Sequence, residues 1–561
     1  MRKLLSFIAA LFITGSLFAG GLVTNTNASA AWVRLPSRNA STGIDAVYYN
    51  PAGLMKLENG FHVSVSNQSI WQNREVDNNY SGPPATGMPY GLKNRETTGI
   101  GNRVYKGAVS APLYPTVFAV YKMNKLAFSV GFGPVGGGGG ATFADGLPSF
   151  EMSPSDLVPS LKANFGANNY RMDVNFEGGS IFLGYSGAVS FKINDMISIA
   201  AGVRYVTAKN TYQGYLNDIE VFLTGANPPL YGLNTNDWNR ADHIMSVIAG
   251  SYTTAAAGST ALVTGGLGSQ TFAVAQGLGA ITAAQRAQFE AALTAVGYPV
   301  STPISAADAI YKGTAAKYNA TSSLLVDQSA DVTQKGTGYT PFFSVNFSPS
   351  DKLNIAVKYE MATKLELTST TSTGSNQLLT GYDATSGAPV YMFVNGDKVR
   401  NDMPAMLTIG VDYKIMPTLK ASLGMNYYWD KNADYGHKIN GVHVPNSDII
   451  GENGFSIQGG LEYNISKMFL VSAGYIWSNK GANSLYQSDL TYGNATQTYG
   501  IGGAYNITDK IQFNLGFGYT AYTTDSKTID HVFSATGATL HATETYKKNT
   551  TMIGLGLDFR F

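Results

Sequence analysis

Residues 551–561 read TMIGLGLDFRF, and the fold follows from their parity. Thr551, Ile553, Leu555, Leu557, Phe559 and Phe561 fall on one side of an extended chain, with Met552, Gly554, Gly556, Asp558 and Arg560 on the other. Successive side chains of a strand point to opposite faces, so one face of this segment suits lipid and the other water. The pattern recurs upstream. Ile511, Phe513, Leu515, Phe517 and Tyr519 alternate with Gln512, Asn514, Gly516 and Gly518, and Leu353, Ile355, Val357 and Tyr359 with Asn354, Ala356, Lys358 and Glu360.

A soluble sandwich would alternate too, and the connections separate the two. Short turns fall at Asn124-Lys125, Asn194-Asp195, 348–351, 415–417, 465–467 and Thr508-Asp509, each rich in turn residues. Between them run long polar connections at roughly 75–112, 138–177, 218–335, 373–402, 430–452, 480–496 and 525–543. Six tight turns and seven long loops in strict alternation join 14 strands, the even number of a bacterial transmembrane β-barrel with both termini periplasmic. The expected fold class is thus all-β, an antiparallel transmembrane barrel over residues 61–561.

Composition agrees. Aromatic residues make up 12% and charged residues 13% of the 561, with 63 Gly, 34 Tyr and 27 Phe. Aromatics such as Tyr427, Tyr428, Trp429, Tyr475 and Trp477 sit where strands would meet the membrane interfaces. A net charge of +1 gives no argument for nucleic acid. The absence of cysteine excludes disulfide scaffolds and thiolate metal sites. Beyond the first 19 residues no run of 18 apolar residues exists, so spanning helices are not expected, whereas strands of about ten alternating residues would escape that test. Residues 1–19, with Arg2 and Lys3, an apolar run from Leu4 to Phe18 and then Ala19-Gly20, read as a cleaved signal peptide, which makes the chain an exported one.

Between that leader and the first strand, Ile44 to Leu57 reads IDAVYYNPAGLMKL. Asn50, Pro51, Ala52 and Gly53 join a residue restricted by the following proline, a fixed φ and a glycine, so the backbone turns compactly there. Water channels also carry Asn-Pro-Ala, but twice, between apolar helices of about 20 residues. Residues 20–60 are expected to form a small hatch in the lumen.

Two irregularities interrupt the alternation. From 218 to 335 the composition shifts to Ala, Gly, Ser and Thr and helical spacing takes over. Phe289, Leu293 and Val296 recur at i, i+4, i+7, with Thr282 as N-cap and Gly297 as C-cap. Ser305 to Asp308 reads as another helix start, and Trp238 to Ile248 as a third helix. An insertion of this length is usually functional, a protective lobe being the alternative. In the third strand, Gly131, Gly133, Pro134 and the run Gly136 to Gly140 remove side chains and one ladder donor, so pairing should lapse or bulge and open the wall. Residues 131–136 also spell G-x-G-x-x-G, but no helix follows to present a phosphate site.

Nothing points to catalysis or to a cofactor. The six histidines show no metal-ligand spacing, and no nucleophile elbow is present.

Gly20-Gly21-Leu22-Val23, the segment VYYNPAGL at 47–54, Pro115 to Pro134, Ile197 to Lys209 and the aromatic C-terminus together resemble the long-chain fatty acid transporter family of the outer membrane, of the FadL and TodX type. The resemblance covers almost the whole mature chain. It implies a monomeric 14-stranded barrel, closed by an N-terminal hatch, that passively carries fatty acids or other hydrophobic molecules inward. The route it implies is a hydrophobic groove among outer loops, a lumen site near the hatch and a lateral opening at the kinked third strand. Phe289, Leu293 and Val296 are the candidate groove, and Gly131, Gly133 and Pro134 the kink. For a cargo carboxylate the candidates are Arg204 and Lys358, on inward parity, and Lys209, where family members carry a basic residue; each could instead pair with a neighbour such as Glu360 or Asp412. Expected partners are a hydrophobic small-molecule ligand, outer-membrane lipid and lipopolysaccharide, and the barrel assembly machinery that reads a terminal aromatic such as Phe561; no cofactor and no nucleic acid is expected. The rival reading is a general porin or a structural or adhesive surface barrel.

Overall fold

A computed structural model describes residues 22–83, 92, 103–372, 377–383, 386–439, 442–533 and 536–561; the expected signal peptide lies outside the described residues. Fourteen antiparallel strands close into a barrel. They are β1 (Gly60–Asn78), β2 (Arg103–Ala111, continued by Pro115–Met123), β3 (Leu126–Phe143), β4 (Ala167–Lys192), β5 (Ile197–Leu223), β6 (Gln328–Phe347) and β7 (Leu353–Glu360 and Glu366–Thr371). There follow β8 (Lys398–Arg400 and Met406–Met416), β9 (Leu419–Tyr428), β10 (Phe455–Asn464), β11 (Phe469–Asn479), β12 (Thr496–Thr508), β13 (Ile511–Tyr522, extended by Asp525–Phe533) and β14 (Ala538–Arg560). Each pairs with its chain neighbours, and β14 returns to β1 in register from His62↔Arg560 to Asn78↔Glu544. Closure pairs the two outermost strands, and among the described residues the ladder around the wall is interrupted at β2 and β3, in a medium where an unpaired backbone group costs several kcal/mol.

The parity of residues 551–561 sets the two faces. Ile553, Leu555 and Leu557 are 39%, 47% and 36% exposed while Met552 is at 0%. Large apolar side chains stay exposed around the wall, among them Phe128, Val189, Phe343, Leu423, Ile457, Ile501 and Phe517. A continuous apolar belt on a closed barrel is a lipid-facing surface, so this is an outer-membrane barrel. Among the described residues no helix is long and apolar enough to cross a membrane.

Inside the barrel lie residues 22–57, with α1 (Ala30–Arg34), α2 (Ala46–Tyr49) and a 3-10 turn at Pro51–Lys56. At the end away from the short turns, α3 (Pro148–Ser155) and α4 (Leu157–Phe165) join β3 to β4. β4 and β5 run for 26 and 27 residues, far beyond the roughly ten that cross a bilayer, and the surplus of β5 leads into a helical lobe. The lobe consists of α5 (Ala241–Leu262), α6 (Phe272–Gly277), α7 (Ala283–Ala295) and α8 (Ile304–Leu325), with α5 and α8 packed along each other.

α7 starts as its sequence suggests: Thr282 caps it in a reciprocal capping box with Gln285, and Gly297 follows at φ 81°. Two other expectations are corrected. Asp237–Arg240 pairs as a short strand with β5, and the helix placed at Trp238 to Ile248 begins only at Ala241 and runs to Leu262. Arg240 holds that junction by reaching Asp218 at 3.2 Å, Asp242 at 3.0 Å and Asp327 at 2.8 Å, a tertiary clamp that helical spacing could not reveal. α8 begins at Ile304 rather than behind a Ser305 cap, because Asp308 is drawn to Thr260 (2.6 Å), Ser259 (3.0 Å) and Lys312 (2.7 Å).

Candidate functional site

The lumen-facing half of each strand is rich in Ser, Thr, Asn and Gln, so the segment that fills it is held by hydrogen bonds. Asn50 Nδ2 donates to the Ser41 carbonyl at 3.1 Å and to Asn346 Oδ1 of β6 at 2.7 Å. The Pro51 carbonyl accepts from Ser190 Oγ of β4 and the Ala52 carbonyl from Ser198 Oγ of β5, each at 2.7 Å, and Ala52 N–H donates to Ser344 Oγ of β6 at 2.8 Å. Three consecutive residues are thereby tied to three consecutive strands. Gly53 completes the turn because a Cβ there would lie 2.4 Å from Asn50 Nδ2 and 2.6 Å from the Ser41 carbonyl. Asp45 gathers Arg38 at 2.7 and 2.9 Å, Ser41 at 2.6 Å and Ser29 at 3.2 Å. Across the lumen, Arg34 reaches Glu462 of β10 at 2.6 Å, Ser472 of β11 at 2.9 Å and Asn514 of β13 at 3.1 Å.

At Gly131, Gly133 and Pro134 the wall itself is irregular. The ladder between β2 and β3 runs from Met123↔Leu126 to Val117↔Phe132 and then lapses until Ala108↔Thr142. On its other side β3 stays paired with β4, with register shifts between Pro134 and Gly136 and between Gly136 and Gly139. A Cβ on Gly133 would lie 2.3 Å from Thr116 Cγ2, so the Thr116 side chain of β2 occupies the space that a side chain at 133 would need. The backbone groups that β2 leaves open are taken up from inside. Asn25 N–H donates to the Val135 carbonyl at 2.9 Å, Gly137 N–H to the Val23 carbonyl at 3.1 Å, and Thr24 forms a bridge with Gly136. The N-terminal part of the hatch thus acts as the missing strand of the kink.

Two cavities meet at this place. On the lumen side a narrow cleft of about 10 Å³ lies between Val47 and Tyr48 of the hatch, Phe118 of β2 and Val135 and Gly184 of the wall. On the outside an open recess of about 460 Å³ is lined by Val117, Val130, Tyr185, Val203, Tyr205 and Tyr339. Both cavities touch Gly131, Phe132 and Ser186, so one thickness of wall separates lumen from bilayer.

Beside the cleft, Arg204 of β5 and Lys358 of β7 converge on Glu360. Arg204 Nη1 and Nη2 meet its two carboxylate oxygens at 2.8 and 2.9 Å, and Lys358 Nζ donates to Oε1 at 2.7 Å and also to the Tyr48 carbonyl. All three side chains are 5% exposed or less. Arg204 and Lys358 lie 5.1 and 4.7 Å from the Tyr48 ring centroid, so the triad stacks on a residue that lines the cleft. The fork of Arg204 is filled by a carboxylate of the protein itself.

Lys209 is not part of this group: it faces outward from β5, in register with Lys335 of β6. The apolar residues of α7 line no groove either. Phe289 stacks on Phe272 at 4.5 Å and Leu293 is fully buried in the core of the lobe, with Val296 packed against it. An amphipathic stripe reads alike for a groove and for a core, and α5 and α8 supply the partner that makes it a core. A pocket does open at the outer mouth, formed by Tyr212 of β5, Leu367 of β7, the run Met392-Phe393-Val394 and Tyr435, and edged by Asp397, Arg400 and Lys438. The signal for it was that apolar run inside the polar connection 373–402, which sequence reading passed over.

The fold and lumen define the class, a 14-stranded outer-membrane barrel whose interior is occupied by its own N-terminal segment. In structural comparison, the chain superposes on the crystal structure of a Pseudomonas aeruginosa FadL homologue with a TM-score of 0.54 at 13% identity, covering 97% of this chain and 100% of that one, which places its fold with the FadL-type barrels. The Ralstonia pickettii toluene transporter TbuX aligns over 94% of this chain and 98% of its own, with 14% identity and a TM-score of 0.45. No protein-family model and no curated relative matches the sequence.

Proposed function

We propose that this barrel admits hydrophobic small molecules, long-chain fatty acids among them, to a Gram-negative outer membrane without energy input. The observation that carries the reading is the pair of cavities back to back across Gly131, Phe132 and Ser186, where the ladder between β2 and β3 lapses. An apolar solute arriving at the mouth pocket near Phe393 would reach the inner cleft and leave sideways into the bilayer, avoiding a water-filled route. The inner cleft has room for only about 10 Å³, no more than a single water, so passage requires residues 23–25 or Val47 to yield. The likeness in fold to the FadL homologue is in keeping with this cargo class. Residues 1–19 serve export, the assembly machinery inserts the barrel among lipid and lipopolysaccharide, and one chain is the working unit.

The test is Gly131→Val combined with Pro134→Thr. A Gly131 Cβ already lies 3.0 Å from Val47 and 3.1 Å from Phe118, so valine fills the cleft, and threonine supplies the N–H that proline withholds. Uptake of labelled oleate and labelled toluene should be lost while the barrel still assembles. Normal uptake in an assembled double variant would show that cargo takes another path. Steady single-channel conductance of the wild-type protein would favour a porin.

A further inference from the structure

The outer recess is more specifically built than an exit requires. Cross-strand register sets Phe132, Tyr185, Tyr205 and Tyr339 in one row on four successive strands, with neighbouring ring centroids 5.1, 6.3 and 5.2 Å apart. The next outward row toward the short turns holds Val130, Gly187 and Val203, and the row beyond it Phe128, Val189, Ala201 and Phe343. Gly187 is therefore a notch between two bulky rows, and nothing lies within 4 Å of the position its Cβ would take. The notch is walled by aromatic and aliphatic side chains, and its rim belongs to the exposed apolar belt, with Phe128, Val189 and Phe343 at 46%, 45% and 54% exposure.

A void of this kind in a bilayer wall is filled by whatever fits it. Water finds too few polar partners there, and an empty recess forfeits the dispersion contacts of its lining. The surrounding medium is hydrocarbon, and small residues on a lipid-facing surface let a neighbouring chain approach the backbone closely. Tyrosines belong at the headgroup boundary, with the ring in hydrocarbon and the hydroxyl in the wet layer. We propose that the recess is a seat for one acyl chain of a membrane lipid, held against Gly187 below the tyrosine row. On the portal reading given above, this chain covers the exit from outside, and cargo leaving the cleft displaces it. The seat itself follows from the outward geometry alone.

The chain has no cysteine or other label of its own at this place, so a lipid probe reports directly. Wild type and Gly187→Leu would be reconstituted in phosphatidylethanolamine vesicles containing a fraction of lipid with a diazirine at the acyl terminus, irradiated, and digested for mass spectrometry. Leucine fits the open notch and fills it. In wild type, labelling of the peptides around Val130 and Tyr185 to Val203 should exceed that around Ile457 and Ile501 on the far wall several-fold. Gly187→Leu should bring it down to the far-wall level in a barrel that still shows heat-modifiable migration, and Gly187→Ala should fall between. Equal labelling of both walls in wild type, or undiminished labelling in assembled Gly187→Leu, overturns the seat. The portal reading fails separately, on uptake persisting in Gly131→Val, Pro134→Thr.

Discussion

Gly53→Ala gives the sharpest test of how the lumen is closed. The added methyl would stand 2.4 Å from Asn50 Nδ2 and 2.6 Å from the Ser41 carbonyl, both tight parts of the turn. To make room the Asn50 amide must leave its bonds to Ser41 (3.1 Å) and Asn346 (2.7 Å). Two hydrogen bonds at about 0.5–1.5 kcal/mol each and overpacking of about 1–3 kcal/mol amount to about 2–6 kcal/mol against the seated hatch. Even the low end shifts the seated-to-unseated ratio roughly 30-fold. The wall ladders take no part in these contacts, so the barrel should assemble normally and keep its heat-modifiable migration. In planar bilayers the variant should show frequent open events where wild type is mostly silent. Gly43→Ala is the control, because its Cβ would meet its neighbours at 3.4 to 3.7 Å, an ordinary contact. Silent Gly53→Ala channels in a correctly assembled barrel would refute the idea that these contacts hold the lumen shut.

Glu360→Gln leaves Arg204 and Lys358 buried side by side without a carboxylate, which costs about 3–5 kcal/mol and should lower the temperature of barrel unfolding on gels; an unchanged temperature would mean that water reaches the triad. His437, in the connection between β9 and β10, is buried against Tyr486, and burial holds its imidazole down at about 4. The native state then binds fewer protons than the unfolded one between pH 4 and about 6.5, so stability there is full above 6.5 and declines as pH falls through the window. Hydrogen exchange in 433–439 and 442–444, corrected for its intrinsic pH dependence, should rise on acidification, and His437→Gln should flatten that rise. Asp430 in the same connection, pushed up to about 6 by burial, acts in the opposite sense, so the comparison with the variant decides. Tags inserted at Asn194-Asp195 or Thr508-Asp509 should be inaccessible on intact cells and tags within 241–325 accessible; the reverse labelling would invert the orientation.

Much of this protein was legible in the chain because a lipid-facing barrel writes its geometry with period two. The parity of 551–561 specified which side of β14 meets lipid, and the spacing of turn residues specified the number of strands. These are local properties, decided within a few residues by where a side chain must point. The capping of α7 by Thr282 and Gln285 is local in the same sense. The compactness of Asn50 to Gly53 was legible too, but not its three separate anchors on β4, β5 and β6. Those depend on which Ser and Asn side chains closure brings opposite the turn, 139 to 296 residues away in the chain.

Tertiary structure alone decided the fate of every candidate side chain that needed a partner. Parity within β5 already sets Lys209, five residues beyond Arg204, on the outer face; what tertiary structure added is the register across β5 to β7 that delivers Arg204 to Glu360 beside Lys358. Phe289 and Leu293 carry the spacing of a binding groove and of a core alike, and the packing of α7 beside α5 and α8 makes them core. The kink shows the division most clearly. Glycine and proline at 131–140 declare that the ladder must fail, because they lack a side chain or an N–H, but the sequence does not say what takes the vacated bonds. Val23 to Asn25 take them, more than a hundred residues earlier in the chain, and that choice exists only once the barrel has closed around its own N-terminal segment.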